Sequence, residues 1–244
     1  MACDAVGFNI PRYAANFVSV VQSLFDVDFV KHVRTTEDLW AENTALNERK
    51  TPVSLTYDGR TVHSCTFPVG VDVDYIEDAA DTPETAAAVA DIRDNLGDCQ
   101  LIVSVSRTDY TKGNIEQLQT FERLLEHRPD LHGKVRLLHV SVQANRNMTA
   151  YEEVQNEIEQ ISGRINGQFG TFEWQPVALI PNAIPFRELL GYYRAADVAW
   201  ITPLAAGLNL VAKEFVAARP DNDGVLDPSE FAGVAVDPGA AGFT

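Results

Sequence analysis

Between Gln100 and Ala218 the chain alternates short apolar runs with longer stretches of helical period. The apolar runs are LIVSV (101–105), VRLLHVSV (135–142), WQPVALI (174–180) and DVAWIT (197–202). The helical stretches extend from Ile115 to about Glu126, from Met148 to about Ile165, around Glu188 to Ala195, and from Leu208 to Ala218. Strands alternating with helices of this length predict βαβ units, hence an α/β fold with a parallel sheet covered on both faces. The stripe Met148, Tyr151, Val154, Ile158, Ile161, Ile165 alternates spacings of three and four, so one side of that helix packs on the sheet.

Upstream, the pattern is different. Phe17, Val18, Val21 and Leu24 recur at helical spacing behind Pro11, which predicts a helix over 11–24 with proline in its first turn. Val53–Tyr57 and Thr61–Phe67 flank Asp58-Gly59, a dipeptide suited to a tight turn, so two paired strands are expected. Pro68 to Asp74 then leads into DAADTPETAAAVADIRDNL, an acidic, alanine-rich stretch that reads as a linker followed by a surface helix. A domain boundary near Gly70 follows.

Charge narrows the partners. With 35 acidic against 19 basic residues the chain carries a formal charge of -16, which repels nucleic acid and anionic membranes. An anionic ligand would need a local cationic pocket. Cys3, Cys65 and Cys99 are odd in number and widely spaced, and the five histidines lack metal-ligand spacing, so neither a disulfide framework nor a zinc site is indicated. A reducing cytoplasm is the simplest setting. No stretch approaches the length of a membrane span, and residues 1–25 lack the layout of a signal peptide. GxGxxG, GxxxxGK[ST] and GxSxG are all absent, which removes the usual signatures of dinucleotide oxidoreductases, P-loop enzymes and α/β-hydrolases.

The chemistry lies in two loops. SRTDYTKG (106–113) follows an apolar run and places Arg107 and Lys112 at the threshold of a helix, where backbone amides and the helix dipole already favour an anion. Two cations there suit a diphosphate; the same residues also suit a solvated turn in which Arg107 pairs with Asp109 and Lys112 faces water. In the second loop Gly207 permits close backbone approach, so the amides of Leu208, Asn209 and Leu210 could meet a phosphate oxygen, or the loop could be an ordinary strand-to-helix turn. Glu214, on the helix beyond, could accept two hydroxyl hydrogen bonds from a ribose, or pair with Lys213 or Arg219. Taken together they read as one nucleotide-sugar site split between two loops on the same edge of a parallel sheet, where open α/β sheets bind ligands.

At these loops the sequence resembles the trehalose-phosphate synthase superfamily of retaining glycosyltransferases, glycosyltransferase family 20, whose hallmark strings are close to DRLDYTKG and TPLRDGMNLVAKEY. GRINGQFGTFEWQP (163–176), YYRAADVAWITPL (192–204) and SEFAG (229–233) fit in order as well. Within the superfamily NIPRY (9–13), IPF (184–186), AWITPL (199–204) and GLNLVAKEF (207–215) look most like the members that glucosylate glycerol 3-phosphate.

The resemblance implies a GT-B type fold. Residues 1–70 would be the end of an acceptor-side Rossmann-like domain, and 71–244 a nucleotide-sugar-binding Rossmann-like domain incomplete at its carboxyl end. The chain would then cover about half of a complete enzyme, whose cleft needs both domains. It implies that Arg107 and Lys112 neutralise the leaving diphosphate of ADP-glucose, that Leu208, Asn209, Leu210 and Val211 supply backbone contacts, that Glu214 holds the ribose, and that no metal or other cofactor takes part. The acceptor would be glycerol 3-phosphate, or glucose 6-phosphate in a trehalose-6-phosphate synthase; a binding-only module that holds nucleotide without turnover is the reading from another class. Where the trehalose enzymes place an arginine on the acceptor phosphate, this chain has Asn145 with Arg146 beside it, so Arg146 is the candidate. Two departures stand out. Ala205-Ala206 replaces the Arg-Asp whose aspartate contacts the transferred glucose, and Asp227-Pro228 interrupts the strand expected before SEFAG, where a proline in a central strand would remove a ladder donor.

Overall fold

The Asp58-Gly59 turn is of the two-residue kind. Both residues have positive φ (51° and 67°), and Tyr57 pairs with Arg60 across it, the geometry that matches the twist of a hairpin. A computed structural model describes residues 3–34, 50–143, 149–219, 221 and 223–236. These divide into two units: one from the described residues of Met1–Gly70, Ala206–Leu210 and Glu230–Gly242, the other from those of Val71–Ala205 and Val211–Ser229.

The first unit contains β1 (Ala5–Phe8), α1 (Pro11–Leu24), β2 (Phe29–Arg34), β3 (Lys50–Tyr57) and β4 (Arg60–Thr66), in a sheet of order β1-β4-β3-β2. β1 runs parallel to β4, and the remaining pairs are antiparallel. Proline opens α1, and the helix buries Ala14, Val18 and Val21, the two valines packing with Leu55 and Val62 of the hairpin. Leu24, expected on the core stripe, is instead 69% exposed at the last turn.

The second unit begins with two helices where one was expected. The segment read as a linker contains α2 (Val73–Ala80), capped by Asp72, whose side chain accepts from Tyr75 N at 3.1 Å; α3 (Pro83–Leu96) follows, with Thr82 capping it. Then come β5 (Gln100–Thr108), α4 (Asn114–His127), β6 (Val135–Gln143), α5 (Thr149–Phe169), β7 (Val177–Ile180), α6 (Phe186–Ala195), β8 (Val198–Ile201), α7 (Leu210–Ala217) and β9 (Val225–Pro228). On α5 the expected stripe buries Ile158, Ile161 and Ile165, while Met148 lies outside the described residues. No helix among the described residues is long and apolar enough to cross a membrane.

The five strands are all parallel, in the order β7-β6-β5-β8-β9. The chain steps outward from β5 to β7, then returns to the other side of β5 with β8. With right-handed crossovers, α4 and α5 cover one face, and α6 and α7 the other. The reversal falls between β5 and β8, so the loops leaving their carboxyl ends flank the crevice where such sheets take ligands. The strand order also bears on the expectation for Pro228: among the described residues β9 lies at the sheet's edge and Pro228 is its last residue, paired with Ile201, and Ser229 N resumes bonding to Ile201 O at 3.0 Å. An edge strand tolerates proline because its outer side has no ladder to break.

β6 carries one costly residue. His139 is fully buried, neither ring nitrogen has a hydrogen-bond partner, and burial lowers its pKa to about 4. The unfolded chain, with an ordinary histidine near 6.5, binds the proton first as pH falls, so protonation favours unfolding. Full stability is present above pH 6.5, and about 3 kcal/mol is lost by pH 4 from this group. Urea titrations at pH 7 and pH 4.5 should show His139→Leu losing less stability between the two than the parent chain; equal losses would show that His139 does not titrate on unfolding.

Candidate functional site

The loop after β5 is built by its own side chains. Asp109 Oδ1 accepts from Thr111 N and Thr111 Oγ1, each at 2.8 Å, folding Tyr110–Lys112 into a single 3-10 turn ahead of α4. Gly113 then takes a left-handed conformation (φ 69°), and a Cβ there would stand 2.7 Å from Thr202 O. Glycine is required twice, by the turn and by the approach of the β8 loop. Gly113→Ala is therefore expected to cost about 1–3 kcal/mol, the usual penalty of a strained backbone position, in urea unfolding; a loss under 0.5 kcal/mol, the usual spread of surface substitutions, would refute the close approach.

That approach is hydrogen-bonded. Leu204 N and Ala205 N both donate to Thr111 O, at 2.9 and 3.1 Å. Beneath them Gln117, buried on α4, accepts from Ser104 Oγ at 2.6 Å and donates to Trp200 O at 2.8 Å, so one amide ties β5 to β8 at the point of reversal. Asn114 accepts from Ser106 Oγ at 2.6 Å and donates to Arg107 O at 3.1 Å, fixing the backbone that carries Arg107. Neither amide was singled out from sequence. The available signal was two amides three residues apart at the start of a helix that follows a cationic loop.

Arg107 and Lys112 are brought together. Arg107 is exposed, Lys112 is partly buried, and the two are near enough for their charges to repel. Burial lowers the pKa of Lys112; the charge of Asp109 works against that and Arg107 adds to it. Burial alone would raise Asp109, but its hydrogen bonds from Thr111 and the charges of Lys112 and Arg107 outweigh it and leave the pKa below the usual carboxylate value. The carboxylate thus serves the turn itself, through Thr111. A partly desolvated ammonium beside a guanidinium gains most from an incoming anion.

Glu214 lies on α7, with Val211 at the start of the same helix. Tyr193 OH donates to Glu214 Oε2 at 3.3 Å, while Arg219 turns to the carbonyls of Tyr193, Arg194 and Ala196. Burial raises the pKa of Glu214, and the hydrogen bond from Tyr193 opposes the rise.

Gly207, Leu208, Asn209 and Leu210 group with the first unit, whereas Arg107, Lys112, Val211 and Glu214 belong to the second. A Cβ on Gly207 would meet Tyr13 Cε2 at 2.6 Å, so glycine there is explained by packing on α1 as well as by any ligand. Gly233 would in turn strike Gly207 O, and Ala206 N bonds to Phe231 O at 3.1 Å. Asn209 has positive φ (50°), and its Nδ2 is buried without a hydrogen-bond partner. Such a group ordinarily finds a partner in water or ligand. The following helix opens at Leu210 rather than Leu208. Asn145 and Arg146 lie outside the described residues. Among the described residues no group of three or more His, Cys, Asp or Glu side chains is placed to hold a metal ion.

Residues 1–238 match the family model of glycosyltransferase family 20. The chain is 44% identical to a glucosylglycerol-phosphate synthase from Synechocystis sp. over 97% of its length and 48% of that protein. It is also 44% identical to one from Picosynechococcus sp., with the same coverage. The crystal structure of an α,α-trehalose-phosphate synthase (UDP-forming) from Burkholderia xenovorans in complex with glucose 6-phosphate superposes with a TM-score of 0.81 and 33% identity, covering 98% of this chain and 48% of that one. The chain thus spans about half the length of the curated relatives it matches, and its α/β architecture is of the GT-B type. With a family match over nearly its whole length, the chain belongs to glycosyltransferase family 20.

Proposed function

We propose that the chain serves a retaining glucosyltransferase that moves glucose from ADP-glucose to glycerol 3-phosphate, yielding glucosylglycerol phosphate in a cytoplasmic setting. The observation that carries the choice of acceptor is the identity gap: 44% to glucosylglycerol-phosphate synthases against 33% to the trehalose-phosphate synthase of known structure, over almost the same residues.

In this reading Arg107 and Lys112 meet the diphosphate. As the bond between the glucose anomeric carbon and the phosphate oxygen breaks, negative charge gathers on the departing ADP, and fixed cations at a partly dry site stabilise it with little reorganisation. The anion reverses the effect of burial on Lys112 and holds it protonated. Backbone amides at Leu208, Asn209, Leu210 and Val211 supplement the cations, and Glu214 takes the ribose hydroxyls. The acceptor hydroxyl attacks from the face that the diphosphate leaves, passing its proton to the departing phosphate oxygen. Arg146 is the proposed contact for the acceptor's phosphate.

Calorimetry with ADP and UDP, followed by product analysis with ADP-glucose plus glycerol 3-phosphate or glucose 6-phosphate, tests the proposal. Tighter binding of ADP and product from glycerol 3-phosphate alone are expected. Product only from glucose 6-phosphate would identify trehalose-6-phosphate synthesis instead. ADP binding with no product from either acceptor is the result expected of a nucleotide-binding module.

A further inference from the structure

We infer that Tyr193 is a positioning residue for nucleotide recognition: its buried hydroxyl fixes one oxygen of Glu214 so that the other faces the two hydroxyls of a ribose. This rests on the reading of Glu214 given above. Tyr193 is fully buried at the end of α6, and its hydroxyl donates to Glu214 Oε2 at 3.3 Å. The ring cannot swing away. It meets Phe215 edge-on, with centroids 6.0 Å apart and planes at 82°, and its carbonyl is held by Arg219 Nη1 at 2.9 Å. Glu214 is only partly buried, and Tyr193 holds one of its two carboxylate oxygens.

The chemistry explains why pinning matters. A vicinal diol offers two O–H donors in a fixed spacing, and a carboxylate matches it when its plane is held in one orientation. A glutamate at the surface of a helix samples several rotamers, and ordering it upon binding costs conformational entropy. One hydrogen bond from a rigid buried phenol removes that freedom beforehand, and it favours the ionised form that accepts both hydroxyls. Phe215, next in sequence, supplies the wall against which the phenol is set.

Calorimetry on the parent chain with ADP and with 2′,3′-dideoxy-ADP, repeated on Tyr193→Phe and Glu214→Ala, tests the inference. Tyr193→Phe keeps the ring and its packing. It should weaken ADP about tenfold, the scale of one hydrogen bond to a charged group, while leaving the dideoxy analogue unchanged. The acid limb of ADP binding should also move to higher pH, since the bond that lowers the proton affinity of Glu214 has been removed. A merely structural role would weaken both ligands equally and leave the pH profile in place, and that result would overturn the inference. If Glu214→Ala removes the preference for ADP over the analogue but Tyr193→Phe retains it, Tyr193 is overturned and the role of Glu214 stands. If Glu214→Ala retains the preference, or the parent chain binds no ADP, the underlying reading fails and the inference with it.

Discussion

Lys112→Ala is expected to reduce turnover with the sugar-nucleotide donor by about a hundredfold or more, the usual consequence of removing one preorganised contact to developing charge. The fold should be nearly indifferent. Lys112 sits in a short turn whose geometry is set by Asp109 and Thr111, and burial already works against its charge, so its removal relieves a desolvation cost. A change in unfolding free energy within about 0.5 kcal/mol is expected, as for substitutions outside caps and cores. Where turnover is too slow to measure, ADP calorimetry gives the same decision, with at least a tenfold loss expected and the deficit shrinking as salt is added, because screening weakens the exposed part of the interaction. Arg107→Ala should act in the same direction. Unchanged kinetics and unchanged ADP affinity in Lys112→Ala would remove the diphosphate pocket from the mechanism.

The two cations were legible because their signal is local. An apolar run, a turn and a helix succeed one another within a few residues, and strand-loop-helix geometry then determines where the loop lies. The same holds for the hairpin at Asp58-Gly59 and for the succession from β5 to α7. Elements whose burial rests on small or mixed side chains were not visible in that way. α2 buries Ile76, Ala79 and Ala80, and two alanines among acids carry little hydrophobic contrast. β1 and β2 are short, and FVKHVR mixes apolar with basic residues out of strict alternation and without turn signals to bound it. Long-range pairings were also out of reach. Tyr193 finds Glu214 across 21 residues, Gln117 joins strands nearly a hundred positions apart in the chain, and Pro228 looked disruptive only because strand order is not a local property. Gly207 shows the complementary case. Its place in the loop predicts a glycine beside a ligand, and the structure adds Tyr13, whose ring a Cβ there would have to displace.

Arg219→Ala is expected to be the most destabilising single change around the site, at about 3 kcal/mol, since each buried carbonyl left without a donor costs about 1–3 kcal/mol. Arg219 is 7% exposed. Its Nη1 lies 2.9, 3.0 and 2.6 Å from the carbonyl oxygens of Tyr193, Arg194 and Ala196, and its Nε donates to Asp223 O. The three carbonyls belong to the last turn of α6 and the residues leaving it, where helical groups lack partners and the dipole favours a cation. The guanidinium also faces the Phe215 ring at 5.4 Å. Alanine leaves these carbonyls buried without donors and opens a cavity beside Phe215. Arg219→Lys should recover only part of the loss, because an ammonium cannot reproduce the planar fork. Urea unfolding of both variants provides the measurement; a loss below 1 kcal/mol in Arg219→Ala, the size of an exposed ion pair, would show that water replaces the guanidinium without penalty. Since Arg219 holds the backbone of Tyr193, and Tyr193 the carboxylate of Glu214, folded Arg219→Ala should also bind ADP more weakly while keeping its affinity for the dideoxy analogue. The stability defect and the ribose-specific defect would then share one cause, the position of the last turn of α6.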